Sequence, residues 1–70
     1  MRAQQAIEYL KAMPADEPVF VLRAQDCLAA DTVEFWAKLA EEREVRSGKV
    51  AGARECAARM GEWPERKLPD

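Results

Sequence analysis

Three polar side chains of different chemistry lie within four residues of one another, at Arg23, Gln25 and Asp26. Arg23 supplies a planar fork of hydrogen-bond donors, Gln25 both a donor and an acceptor, and Asp26 a carboxylate. If they converge, they could bind a phosphate, a base edge or a carboxylate of a partner. They also have structural uses, because Asp26 could cap a following helix and Arg23 could pair with Asp26 or Glu34. The sequence leaves both interpretations open.

A second group of candidate binding residues lies near the other end of the sequence, at Trp63, Arg66 and Lys67. Trp63 precedes Pro64 at the end of an expected helix. Tryptophan and arginine are favoured at the energetic centres of protein interfaces, so Trp63 could anchor a partner, or it could instead pack on the first helix. Trp36 falls on the apolar stripe of a predicted helix, and we expect it in the core.

Material for catalysis is scarce. The 70 residues include no His, which excludes imidazole catalysis and His-ligated metal. Cys27 and Cys56 are too few for a zinc site, and no base accompanies Cys27 as a nucleophile, so we expect reduced, buried structural thiols. The acidic pairs at 16–17 and 41–42 are expected to be exposed, where nothing tunes their pKa. We predict a protein that is not an enzyme and takes no metal or cofactor.

The elements that must position these groups are three helices. Apolar residues at helical spacing predict the first helix from Arg2 to about Met13, where Pro14 stops it. The same spacing predicts the third helix over roughly 49–62. Its expected inner stripe is Val50, Ala53, Ala57 and Met60, flanked by Cys56.

The second helix is predicted to begin at Asp31, which can cap its amino end, or earlier with Asp26 as the cap. It should run to about Arg46 and end at Ser47-Gly48, with Gly48 in a left-handed conformation. Its expected inner stripe is Val33, Trp36, Ala37 and Ala40.

Residues Val19–Leu22 form the strongest β signal of the chain, because they are β-branched or aromatic and follow Pro18. Both faces are apolar, yet no second strand is evident, and a single strand cannot satisfy its backbone groups. The segment either pairs with its copy in another subunit or lies as an extended strap on the helices. We predict a mainly α fold, three helices with one short extended or β segment at about 19–24 between helix 1 and helix 2, completed by oligomerisation.

Length and charge set the remaining bounds. We expect a single domain over 1–70 with a loose tail at 64–70, and a homo-oligomer because so short a chain has a thin core. Residues 43–67 carry seven basic and four acidic groups, a balance of +3 that is too weak to favour nucleic acid as partner. The amino-terminal sequence resembles neither a signal peptide nor a membrane span, so we expect a cytoplasmic protein without membrane contact.

The run Glu17-Pro-Val-Phe-Val-Leu-Arg-Ala-Gln-Asp26 resembles a family of small uncharacterised proteins from proteobacterial phages, prophages and mobile elements. The likeness continues through Phe35-Trp36-Ala37, Trp63, the basic pair Arg66-Lys67 and the final Pro69-Asp70. The resemblance implies a mobile genetic element as the biological context and implies no mechanism. Accessory proteins of such elements often inhibit host or defence components or sequester nucleotide signals.

Three functional hypotheses follow from these residues. The first is a non-enzymatic accessory protein that binds and modulates or inhibits a host or defence protein. The alternative is an oligomeric sponge that binds a nucleotide signal through Arg23, Gln25 and Asp26, with Lys67 brought close across subunits. A further alternative is a nucleic-acid-binding module that uses the basic residues of 43–67, which would make its binding strongly salt-dependent.

Overall fold

The computed structural model describes residues 1–69 and contains three helices. They are α1 (Ala3–Lys11), α2 (Ala29–Glu42) and α3 (Ser47–Gly61). Residues 1–69 form no sheet, and their β-type pairing is limited to an isolated parallel bridge between Asp26 and Lys67. The prediction of a mainly α chain with three helices is confirmed. None of the described helices has the length and apolar content needed to cross a membrane.

α2 and α3 pack against each other, and their contact contains the core. The buried residues are Ala29, Ala37, Ala40, Val50 and Ala57. Small side chains let the two helix backbones approach closely, but they remove little apolar surface from water. The larger residue Trp36, predicted to be in the core, instead remains 45 % exposed because the interface is filled by alanines.

The turn between α2 and α3 lies earlier than predicted. Glu44 has a φ of 60°, its N–H donates to the carbonyl of Glu41 at 3.1 Å, and the N–H of Val45 donates to the carbonyl of Ala40 at 2.9 Å. This pair of bonds is a Schellman motif, which ends a helix on a left-handed residue. The prediction that Gly48 provides that residue was wrong, since Gly48 lies in the first turn of α3. Val45 then packs against the core.

α1 is separate from the other two helices, and within residues 1–69 it packs against neither of them. Its amino end is held locally, by the side chain of Gln5, which accepts a hydrogen bond from the N–H of Arg2 at 2.8 Å. Ile7 and Leu10, on its predicted apolar stripe, remain exposed by 56 % and 42 %. The stripe was predicted correctly as a pattern, but it has no helix of its own chain to cover it.

The segment predicted as a possible strand is irregular. Residues 17–23 have no regular secondary structure, and Phe20 is 86 % exposed. Val19 and Val21 are exposed as well. The β alternative is therefore not realised within the chain, because no described segment pairs with 19–23 and an unpaired strand leaves its backbone groups unsatisfied. The alternative of a strap packed on the helices is also wrong at Phe20, which faces solvent.

The segment 64–69 folds back to the start of α2. Lys67 donates its N–H to the carbonyl of Gln25 and accepts from the N–H of Cys27, both at 2.8 Å. Arg66 donates from its guanidinium to the carbonyl of Gly61, also at 2.8 Å. These bonds bring the end of the described chain beside the residues that follow the irregular segment. Asp70, the last residue of the resembling motif, lies outside the described residues.

Candidate functional site

Four of the six predicted binding residues line one shallow cavity of about 220 Å³. They are Arg23, Gln25, Asp26 and Lys67. The parallel bridge between Asp26 and Lys67 explains why residues about forty positions apart in sequence meet there. We call this site the 23–67 cavity. Its remaining lining residues are Val21, Leu68 and Pro69.

Asp26 has a structural role at one end of this cavity. Its Oδ1 accepts a hydrogen bond from the N–H of Leu28 at 2.8 Å, immediately before α2 begins at Ala29. α2 therefore begins between the two predicted starts, with Leu28 at the cap position, and Asp26 orders the turn before the helix without capping it. Asp31, predicted as the cap, instead lies in the first turn, where its negative charge is favourable near the positive end of the helix dipole.

Arg23 is the exposed cationic group of the cavity. Within residues 1–69 its guanidinium makes no hydrogen bond and no ion pair, so the predicted structural uses, pairing with Asp26 or with Glu34, are not observed. Glu34 is bound to Arg54 instead. All the donors of the Arg23 fork thus face solvent beside a concave surface.

Trp63 and Arg66, the other two predicted binding residues, do not line the 23–67 cavity. Trp63 is 54 % exposed at the end of α3. Arg66 is occupied by its bond to the carbonyl of Gly61, which satisfies one of the last carbonyls of α3. The predicted set therefore divides into four residues that meet and two that lie apart.

The sequence interpretation missed the apolar residues next to the polar cluster. Val21, Leu68 and Pro69 contribute to the cavity wall, and Phe20 extends into solvent immediately before it. The sequence did contain a signal for these apolar residues. Val19–Leu22 is apolar on both faces and has no partner strand, so at least one face must remain uncovered. The site is therefore a basic and amide-bearing cavity next to an exposed aromatic side chain.

Arg54 joins α2 to α3 through two carboxylates. Its Nε donates to Glu34 at 3.1 Å, and its terminal nitrogens contact both oxygens of Glu41, at 3.0 and 3.3 Å. This bidentate hydrogen bonding, together with the positive charge, lowers the pKa of Glu41 below its ordinary value. Charge-assisted bonds of this planar type also fix orientation, so Arg54 sets how the two helices face each other.

The basic residues of 43–67 are partly engaged within the chain. Arg54 is bound to two carboxylates, Arg59 pairs with Glu55 at 2.8 Å, and Arg66 is bound to a carbonyl. These contacts weaken the electrostatic attraction that nucleic acid would need.

The two thiols are free and half-buried, at Cys27 and Cys56. Cys27 lies next to the cavity in sequence, and its N–H, not its sulfur, takes part in the bridge to Lys67. Among residues 1–69 no three Cys, Asp or Glu side chains come together in a way that could hold a metal ion.

No family model, curated protein or solved structure matches the chain at a significant level.

Proposed function

We propose that the protein is a non-enzymatic accessory protein that binds another protein, and thereby modulates or inhibits it. The setting implied by the resemblance to mobile-element proteins makes a host or defence component the expected target. The observation that carries the proposal is the 86 % exposure of Phe20 in an irregular segment that leads directly into the 23–67 cavity.

Burial of so exposed an aromatic side chain in a partner's pocket would contribute favourable binding free energy. Burying a phenylalanine contributes roughly 1.5–3 kcal/mol, and aromatic residues with arginine dominate the energetic centres of protein interfaces. Phe20 is followed three residues later by the unpaired fork of Arg23. The two groups together provide the apolar anchor and the oriented polar contact that a specific interface requires.

The chemistry of the partner follows from the exposed side chain of Phe20 and the unpaired guanidinium of Arg23. Phe20 needs an apolar pocket, and Arg23 needs a carboxylate or a carbonyl pair within reach of that pocket. The cavity wall carries the guanidinium of Arg23, which makes no hydrogen bond or ion pair within residues 1–69, so an acidic group of a partner can pair with it. The matching partner is a protein with an apolar pocket that has acidic residues at its rim.

The nucleotide alternative has less support from the same geometry. Sites that enclose a small molecule usually have volumes of about 300–1,000 Å³. The 23–67 cavity, at about 220 Å³, is open and smaller than that range. A nucleotide bound at Arg23, Gln25 and Asp26 would need additional walls from a second chain, whereas a protein partner supplies its own.

Site-specific photo-cross-linking tests the proposal in the native host cell. Benzoylphenylalanine in place of Phe20 in the full chain should give one discrete adduct with a host protein on illumination. The matched control carries the same probe in place of Ala58, an exposed residue of α3, and should give none. Arg23→Glu should weaken the Phe20 adduct by reversing the charge beside it. No adduct at position 20, or the same adducts from positions 20 and 58, would overturn the proposal.

A further inference from the structure

The chain exposes more surface than a compact protein of its mass. Its accessible surface is 6124 Å² at 7.9 kDa. The surface–mass relation for folded monomers gives about 4,400 Å² for that mass, an excess of about 1,700 Å². One partner in a standard protein interface buries about 800 Å², so the excess is large enough for a stable self-association in addition to another contact.

One part of that excess is an apolar stripe on the flank of α2 that faces away from Arg54. Its members recur at helical spacing, and all four are exposed by between 41 % and 61 %. They are Leu28, Phe35, Trp36 and Leu39. We call them the α2 flank. Leu28 lies at the amino-terminal cap position, and the other three lie within the helix.

A second part of the excess is the apolar side of α1. Ile7 and Leu10 are exposed by 56 % and 42 %, and α1 packs on neither α2 nor α3 of its own chain. An isolated helix of nine residues is too short to be stable in water without tertiary contacts. α1 therefore requires a partner surface that α2 and α3 of its own chain do not supply.

Length and charge make these two surfaces complementary. α1 is flanked by basic residues at both ends, Arg2 and Lys11, about 14 Å apart at the helical rise of 1.5 Å per residue. The α2 flank lies between two acidic residues, Asp31 and Glu42, about 17 Å apart by the same rise. An α1 helix laid along the α2 flank brings both cations near the two carboxylates. Lys11 already pairs with Glu8 of its own helix at 3.3 Å, so the added charge complementarity comes mainly from Arg2.

We propose that two copies of this chain form a symmetric dimer in which α1 of each copy packs on the α2 flank of the other. Such an exchange uses one patch twice, as a two-fold interface requires. It covers Ile7 and Leu10 with Phe35, Trp36 and Leu39. It leaves Phe20 and the 23–67 cavity of each copy outside the contact, so the dimer presents two binding surfaces.

Mass measurement by sedimentation equilibrium tests the dimer. The native chain at about 100 μM should have twice the 7.9 kDa mass of one chain. Ile7→Glu and Phe35→Glu, each alone, should raise the dissociation constant at least about 30-fold, the effect of losing an energetic centre of an interface. The matched control Ala58→Glu, on α3, should remain dimeric. A 7.9 kDa species for the native chain, or unchanged mass in both variants, would overturn the proposal.

Disulfide trapping tests the pairing of α1 with α2 without relying on the stability of those variants. In a background with Cys27→Ala and Cys56→Ala, a chain carrying Leu10→Cys is mixed with a chain carrying Leu39→Cys. Oxidation should give the mixed disulfide at least tenfold faster than Leu39→Cys alone gives its own. A faster homodisulfide of Leu39→Cys would contradict the exchange of α1 and indicate α2 packed on α2.

Discussion

At the scale of single residues, the pair Arg54 and Glu41 gives the molecule a defined dependence on acid. The pKa of Glu41 is lowered from its ordinary 4.5, first by the hydrogen bonds of Arg54 and then by its charge. A lowered carboxyl pKa stabilises the fold fully above the unfolded value, and this contribution is lost as the pH falls through the folded value. Solvent screens both exposed groups, so the effect is modest.

Glu41→Gln should therefore reduce the free energy of unfolding at pH 7 and reduce it progressively less below about pH 4.5. The reason is that the native carboxylate itself becomes protonated there. Urea unfolding followed by circular dichroism at several pH values measures the difference. Glu65→Gln is the matched control, because Glu65 is exposed and makes no ion pair within residues 1–69. A difference between Glu41→Gln and native protein that is the same at pH 7 and pH 3 would contradict this account.

At the scale of elements, the position at which α2 ends is set by tertiary packing and not by the local preference of glycine for helix ends. Glycine is the residue that most often adopts the left-handed conformation at a helix end, and this made Gly48 the natural prediction. The chain instead places Glu44 at φ 60°, which lets Val45 pack on Ala37 and Ala40 of the core. The packing of Val45 against the core favours this position of the turn. That packing depends on Val50 of α3, which lies outside the sequence around the turn.

Gly48→Ala should raise the free energy of unfolding by about 0.5–1 kcal/mol, because glycine is that much worse than alanine within a helix. A Cβ at this position meets nothing within 4 Å. The control Ala58→Gly, at an exposed position of the same helix, should lower the stability by a similar amount. If Gly48 were the left-handed cap, Gly48→Ala would lower the stability, and chemical denaturation distinguishes the two signs.

Glu44→Gly should also stabilise the protein, by about 1 kcal/mol, since it removes the cost of a left-handed conformation for a residue with a Cβ. Thermal and urea unfolding give the measurement. Glu42→Gly is the control, because Glu42 is the last residue of α2 and glycine there weakens the helix. A loss of stability in Glu44→Gly would contradict the turn geometry described here.

The three helices could be predicted from the sequence, whereas the strand predicted at Val19–Leu22 is not formed within the described chain, and one physical reason explains both outcomes. Helical hydrogen bonds are local, so the spacing of apolar residues in α1, α2 and α3 was sufficient to place them. Strand pairing is not local, and Val19–Leu22 has high β propensity with no partner segment in the described chain. One side of the cavity could be predicted, because Arg23, Gln25 and Asp26 are close in sequence. The other side could not, because Lys67 reaches them only through its bridge to Asp26.

At the scale of the whole molecule, the buried core consists of four alanines and Val50, and most of the large apolar side chains are at the surface. Ala29, Ala37 and Ala40 are buried, whereas Phe20, Phe35 and Trp63 are more than half exposed. Exposed apolar area of this extent is typical of interaction surfaces. We propose that the α2 flank binds a second copy of the chain and that the segment with Phe20 binds a different protein.

Self-association should make the thermal stability depend on protein concentration. A dimer that binds only in the folded state raises the midpoint of unfolding as concentration increases, by mass action. We expect the midpoint of the native chain to rise between about 5 μM and 500 μM, and that of Phe35→Glu to stay constant. Differential scanning calorimetry gives both values. A midpoint of the native chain that is independent of concentration would contradict the dimer and leave the role of Phe20 unaffected.

We propose that the surface of Phe20 and the 23–67 cavity binds a partner protein. The most direct test of this proposal is the calorimetric dissociation constant for the partner captured at position 20, measured with native chain, Phe20→Ala, Arg23→Ala and the control Ala58→Ser. The account predicts at least about a 30-fold weaker complex for Phe20→Ala, a smaller loss for Arg23→Ala and no change for Ala58→Ser. Native affinity in Phe20→Ala would contradict it.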